Sequence, residues 1–272
     1  MADCGGNCGS CGVEGCGDRA EEQVPLARKS IKHVYGIFSG KGGVGKSLVT
    51  GLLASALRKR GLKVGILDGD ITGPCIPRLF GLKPPLTADD QGINPAVTES
   101  GIKTVSVNLM LPAEDMPVAW RGPVLNSVLL QFWNEVNWED LDVLLVDMPP
   151  GTSDVAFTVL GQMNMEGIVT VSAPQELVGM IVGKAVNFAQ NFDVPVLGLV
   201  ENMAYFKCDE CGKKHYIYGQ PQGRGVCEKY DIKAYAQLPI DPAIATACDR
   251  GEIESIDLGD ALDPIIETLK VD

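Results

Sequence analysis

Residues 39–47 read Ser-Gly-Lys-Gly-Gly-Val-Gly-Lys-Ser, and through Gly40, Gly45, Lys46 and Ser47 they satisfy the spacing G-x-x-x-x-G-K-[ST]. The chemistry of that spacing is phosphate binding. Backbone N–H groups from Gly40 through Gly45, including Gly42, Gly43 and Val44, can turn inward on an anion, and the helix that follows adds the positive end of its dipole. Lys46 then reaches the β/γ oxygens of a nucleotide, and the Ser47 hydroxyl is a ligand for Mg²⁺. A second lysine, Lys41, follows the first glycine. Residues 143–154, VLLVDMPPGTSD, form an apolar run that ends in Asp147, a carboxylate suited to hold Mg²⁺ through water. Residues 67–74, LDGDITGP, put Asp68 and Asp70 just past another apolar run, at the edge where α/β sheets bind ligands.

Thiols make up the second set. Cys208-Asp-Glu-Cys211 is a C-x-x-C, and two thiolates are half of a tetrahedral site. His215 and Cys227 would complete a zinc site within the chain; a second copy of the chain would instead bring the two thiols that a four-cysteine [4Fe–4S] shell needs. Both remain open on residue types alone. Cys4, Cys8, Cys11 and Cys16 are spaced C-x₃-C-x₂-C-x₄-C among glycines, a spacing that lets a short loop wrap a cluster. Zinc, a disulfide-prone tail and a metal-scavenging arm are the other readings of that set.

These residues need a scaffold, and the pattern of the chain supplies one. From residue 31, short apolar runs at 33–38, 63–68, 103–109, 143–147, 167–172 and 196–202 alternate with amphipathic stretches at 46–60, 122–136, 153–164 and 175–192. That alternation predicts an α/β fold with a doubly wound, mostly parallel sheet. A weak strand over 234–238 and two helices over 241–250 and 259–270 close the domain, which is expected to span residues 31–272. Residues 204–226 interrupt the rhythm with turn formers, aromatics and the C-x-x-C, and read as a functional insertion. Residues 1–30 have too few large apolar side chains to fold alone and read as a flexible arm. About 14 residues between Cys16 and Ser30 give it a coil span of roughly 20 Å, enough to bring a cluster to a partner or to the C-x-x-C.

With 272 residues the chain can bury a large core without disulfides, and its formal charge of −12 argues against a polyanion as partner, so no nucleic acid is expected. No apolar run approaches the roughly 18–20 residues that cross a bilayer, and no leader precedes the arm, so a cytoplasmic protein without a membrane role is expected. Nine cysteines in a reducing compartment indicate metal or redox chemistry.

The run G-K-G-G-V-G-K-S resembles the deviant Walker A motif of the SIMIBI-class ATPases, which include MinD, ParA and the nitrogenase iron protein. That resemblance implies that Lys41 crosses a homodimer interface to the partner's phosphates, that Asp70 orients the attacking water, and that Asn202 in VENM hydrogen-bonds adenine, which selects ATP. The wider set WRGP (120–123), DMPPGTSD, ENMAYFKCDECGKKHYIYG and LPIDPAIATACDRG resembles the Mrp/ApbC family of iron–sulfur cluster carriers over residues 31–270. It implies a slow, dimer-dependent ATP hydrolase whose Cys208 and Cys211 hold a bridging [4Fe–4S] cluster for delivery to apo iron–sulfur proteins. Eukaryotic relatives of that family carry a four-cysteine N-terminal cluster with a longer gap after the first cysteine than Cys4–Cys8, a point where this chain departs from the pattern. A positioning ATPase like MinD, or a reductase like the nitrogenase iron protein, is the alternative. The first would need a basic patch or a membrane helix, which the acidic C-terminus does not provide.

Overall fold

The computed structural model describes residues 31–112, 116, 120, 122–174 and 178–271. The arm, with Cys4, Cys8, Cys11 and Cys16, lies outside the described residues. Five strands form the centre: β1 (Ile31–Phe38), β2 (Val64–Asp68), β7 (Leu141–Asp147), β8 (Gly167–Ser172) and β9 (Val196–Lys207). Smaller strands are β3 (Thr87–Asp89), β4 (Gly92–Asn94), β5 (Ala96–Val97), β6 (Lys103–Val105), β10 (Lys214–His215) and β11 (Ala234–Ile240). The main sheet runs β6, β2, β7, β1, β8, β9, β11, all parallel, with β5 antiparallel on β6 and β10 antiparallel on the end of β9.

Alternation along these strands splits the core in two. Val34, Phe38, Leu144 and Val146 face a layer built by α3 (Gly122–Glu135), α4 (Asp154–Gln162) and α5 (Val178–Gln190). Tyr35, Ile37, Val143 and Leu145 face α1 (Lys46–Lys59) and α8 (Asp263–Ile266). Strands buried on both faces must be apolar on both, which is why they read as continuous runs. α2 (Ile76–Leu79), α6 (Gly223–Tyr230) and α7 (Pro242–Asp249) complete the set of α-helices among the described residues. β1 has β7 on one side and β8 on the other, so the chain order reverses there, and the crevice above its carboxyl end is where a doubly wound sheet binds ligand.

Several elements differ from the sequence expectation. The run over 103–109 is a strand only to Val105; Ser106 turns to reach Asp68, and Val107–Leu109 form a 3₁₀ turn. The β3–β4 hairpin was not anticipated, because its residues carry little apolar alternation. β9 continues past Asn202 to Lys207, since β11 pairs along it as far as Phe206. Over 259–270 only Asp263–Ile266 is α-helical. Thr268 and Leu269 make i to i−3 backbone bonds instead.

Candidate functional site

The P-loop connects the end of β1 to α1. Gly45 is the residue before α1 and has φ 83°, a left-handed backbone that favours glycine; a Cβ there would also stand 2.2 Å from the Asn202 amide nitrogen. No other residue type fits without moving Asn202. Lys46, the first residue of the helix, is buried, and its Nζ lies 2.8 Å from Asp147 Oδ2 and 3.5 Å from Asp70 Oδ2. Burial pulls the ammonium down, but Asp147, Asp70 and Asp68 outweigh it and the net displacement is upward. Lys46 is therefore a cation over the working pH range.

Asp147 ends β7 directly opposite Asp68 at the end of β2. Its Oδ2 accepts from Ser47 Oγ at 2.6 Å and its Oδ1 from Thr50 Oγ1 at 2.7 Å. Asp68 is fully buried, accepts from Ser106 Oγ at 2.9 Å, and has an Oδ1 without a partner. Burial, with the neighbouring Asp147, pushes its carboxyl up to about 8. Asp70 is less enclosed; burial raises its carboxyl and Lys46 opposes that shift. Ser47, Asp147 and the unused Asp68 oxygen are hard oxygen donors at the head of a phosphate loop, a donor set that fits Mg²⁺.

All four of Lys46, Ser47, Asp70 and Asp147 thus converge, and Gly40, Gly42, Gly43 and Val44 lie in the same loop. Lys41 is exposed. Thr50 and Ser106 belong to the cluster and were missed by the motif reading. Thr50 stands one helical turn past Lys46, a spacing that could have flagged it; Ser106 carries no such signal. Asn202 is buried behind the loop: its Nδ2 donates to the Val44 carbonyl at 2.9 Å and its Oδ1 accepts from the Met203 N–H at 2.9 Å. The amide supports the P-loop here.

The C-x-x-C crowns the turn between β9 and β10. Cys208 accepts on its carbonyl from the Gly212 N–H at 2.8 Å and donates its own N–H to the Lys213 carbonyl at 3.0 Å. Gly212 has φ 69°, which closes the turn. The backbone N–H groups of Cys211 and Glu210, with the Cys211 side chain, hold the Cys208 thiol below its ordinary range, so the turn favours a thiolate. Cys211 and His215 are exposed nearby. Cys227 is elsewhere: it packs on α6 with Val226 and Ile232, and burial pushes its thiol up to about 11. The in-chain zinc set of Cys208, Cys211, His215 and Cys227 is therefore not assembled. Among the described residues no group of three or more His, Cys, Asp or Glu is placed to hold a metal ion. A cavity of about 800 Å³ opens beside Cys208, between Tyr205 and Phe206 of β9, Pro239 and Ile240 at the end of β11, and Asp241 and Pro242 just after it.

The family model described as NUBPL iron-transfer P-loop NTPase, of the ParA group, matches residues 30–269. The chain is 44% identical over 232 residues to an iron-sulfur cluster carrier protein of Saccharolobus solfataricus, covering 85% of this chain and 78% of that one. It is 42% identical over 267 residues to the iron-sulfur cluster carrier protein of Clostridium perfringens, covering 92% and 94%. Among solved structures, a nucleotide-binding protein from Archaeoglobus fulgidus in complex with ADP superposes with a TM-score of 0.77 at 39% identity, covering 85% of this chain and 92% of that one.

Proposed function

The chain belongs to the NUBPL iron-transfer P-loop NTPase family, and from that premise we propose that it is an ATP-dependent scaffold that holds a [4Fe–4S] cluster between two copies of itself and passes it to apo iron–sulfur proteins. The observation that carries this reading is the placement of Cys208 and Cys211 on an exposed turn with no third ligand among the described residues of their own chain. Two thiols want two more, and a twofold axis through the turn supplies them.

The ATP site has matching roles for its residues. The Gly40–Gly45 backbone cradles the phosphates, Lys46 neutralises the β/γ oxygens, and Asp70 orients the attacking water. Ser47 and Asp147 would hold Mg²⁺, which supplies charge neutralisation between the phosphates when bound. Lys41, exposed on the loop, reaches the phosphates of the partner copy and ties hydrolysis to dimerisation. Binding of the γ-phosphate gives Lys46 a new anion and releases Asp70 and Asp147 from it, which distinguishes the states before and after cleavage. The cluster is cargo, held in one state and released in the other. The compartment this reading implies is the cytoplasm; among the described residues no helix is long and apolar enough to cross a membrane.

Anaerobic purification followed by iron, sulfide and zinc analysis beside Mössbauer spectra tests the reading. Brown protein with broad absorbance near roughly 400 nm is expected, with the bridging cluster lost on replacing Cys208 and Cys211 by Ala. Colourless protein holding stoichiometric zinc would overturn it.

A further inference from the structure

β9 is the one central strand among the described residues that touches both ends of the proposed machine. At Asn202 it bonds the P-loop, and six residues later, at Cys208, it delivers the first cluster thiol. Between those points it changes character: Met203 has φ 56°, and its pairing with β11 slips between Gln237 and Pro239. Immediately before the slip stands Glu201, fully buried on a sheet face otherwise lined by Leu199, Val226 and Ile232. A carboxylate in that setting costs several kcal/mol unless it is bonded, so its partners matter. Glu201 Oε2 accepts a short hydrogen bond from Tyr235 Oη and a long one, 3.5 Å, from Gln237 Nε2, both on β11; Gln237 also donates to Tyr235 Oη at 2.7 Å. Glu201 Oε1 has no partner. On the other side, Ser172 of β8 is the register partner of Glu201, and its buried Oγ has no partner either.

We propose that Glu201 is a positioning residue that sets β9 against its two neighbours, and that through β9 the occupancy of the P-loop sets the geometry of the Cys208–Cys211 turn. The inference rests on the reading of the protein as an ATP-gated cluster carrier. Its physical content is a choice of bonds. In the present arrangement Glu201 anchors β9 to β11 and leaves Oε1 and Ser172 Oγ unsatisfied. A small displacement of Asn202, driven by phosphate at Val44 and Gly45, lets Ser172 donate to Oε1 and slackens the hold of Tyr235. Such an element has two discrete settings, which is what coupling between distant sites requires. The slip after Gln237 and the left-handed Met203 are where the strand absorbs the change, so it emerges as a reorientation of the turn that follows Lys207.

The experiment uses full-length, cluster-free protein and measures alkylation rates of Cys208 and Cys211 by mass spectrometry, with ADP or a non-hydrolysable ATP analogue bound. In the wild type the two nucleotides should give rates that differ by about fivefold or more, and in Glu201→Gln and Tyr235→Phe the ratio should fall towards one while nucleotide affinity is retained. Variants that keep the wild-type ratio overturn the role of Glu201 and leave the carrier reading intact. A wild type without any difference between nucleotides overturns the gating itself, and the inference with it. Should Glu201→Gln fail to fold, Tyr235→Phe, which preserves the ring, carries the same test. Loss of nucleotide affinity in both variants would assign Glu201 to stability alone.

Discussion

Replacing Asn202 by Ala should destabilise the nucleotide-free protein, although the resemblance to the SIMIBI-class ATPases implies a contact between this residue and the base of a nucleotide. Its side chain is 3% exposed and serves the buried Val44 carbonyl and the half-buried Met203 N–H, each at 2.9 Å. Truncation leaves both without a partner, at about 1–3 kcal/mol for the buried carbonyl and less for the half-buried N–H. Met203 adds to the penalty, because its left-handed backbone is held in place by that same N–H bond. A total near 3 kcal/mol, at about 2–4 °C per kcal/mol for a domain of this size, lowers Tm by roughly 6–12 °C. The assay is thermal unfolding followed by circular dichroism, without nucleotide, at neutral pH. Asn202→Asp is the informative companion: it keeps an acceptor for Met203 but places a carboxylate against the Val44 carbonyl, so it should also be destabilised. An Asn202→Ala protein that melts within about 1 °C of wild type refutes the clamp, since even one orphaned group is worth more than that.

Replacing the exposed Lys41 by Ala should lower ATP turnover by at least about tenfold with the fold intact; steady-state phosphate release checks it, and unchanged turnover removes Lys41 from the reaction. Thr50→Val keeps side-chain shape but strips Asp147 Oδ1 of its donor, which should cost about 1–3 kcal/mol in a urea titration. Tyr35 has its hydroxyl pushed up to about 12, mainly by burial, with the Glu166 carboxylate adding to the rise and the Lys270 N–H opposing it. A raised phenol is a stabilising contribution that is complete below pH 10 and lost as pH climbs to about 12, so Tyr35→Phe should flatten the stability profile across that window in pH-dependent unfolding. Wild type and variant with parallel profiles would show that Tyr35 does not titrate with folding.

The nucleotide site was legible because its parts are local: Gly40 to Ser47 fall within one turn, and Asp147 ends an apolar run that can only be a buried strand. Where the determinants are tertiary, the sequence was mute. Thr50 and Ser106 join the carboxylates only because β2, β6 and β7 are neighbours, and no spacing encodes Ser106 against Asp68. The zinc alternative looked sound on ligand types, yet Cys227 is drawn into an apolar cluster by its neighbours on α6. β9 was expected to stop at Asn202 because the residues beyond it are polar and aromatic by turns; pairing with β11 overrode that preference.

The starting point of β1 sets the traffic between the two thiol sets. Ile31 pairs with Leu141 at the foot of the sheet, five residues below the level of Val196, while Cys208 stands twelve residues above that level. At about 3.3 Å per residue the two points are separated by roughly 55 Å along the strands. The fifteen residues from Cys16 to Ile31 cover at most about 50–54 Å when pulled straight. That separation along the strands exceeds the coil span of roughly 20 Å. A group bound through Cys16 therefore meets the C-x-x-C of its own chain only when the connecting residues are drawn out beyond that span, at a cost in chain entropy. The place of Ile31 at the foot of the sheet thus sets a conformational toll on exchange between the two thiol sets within one chain.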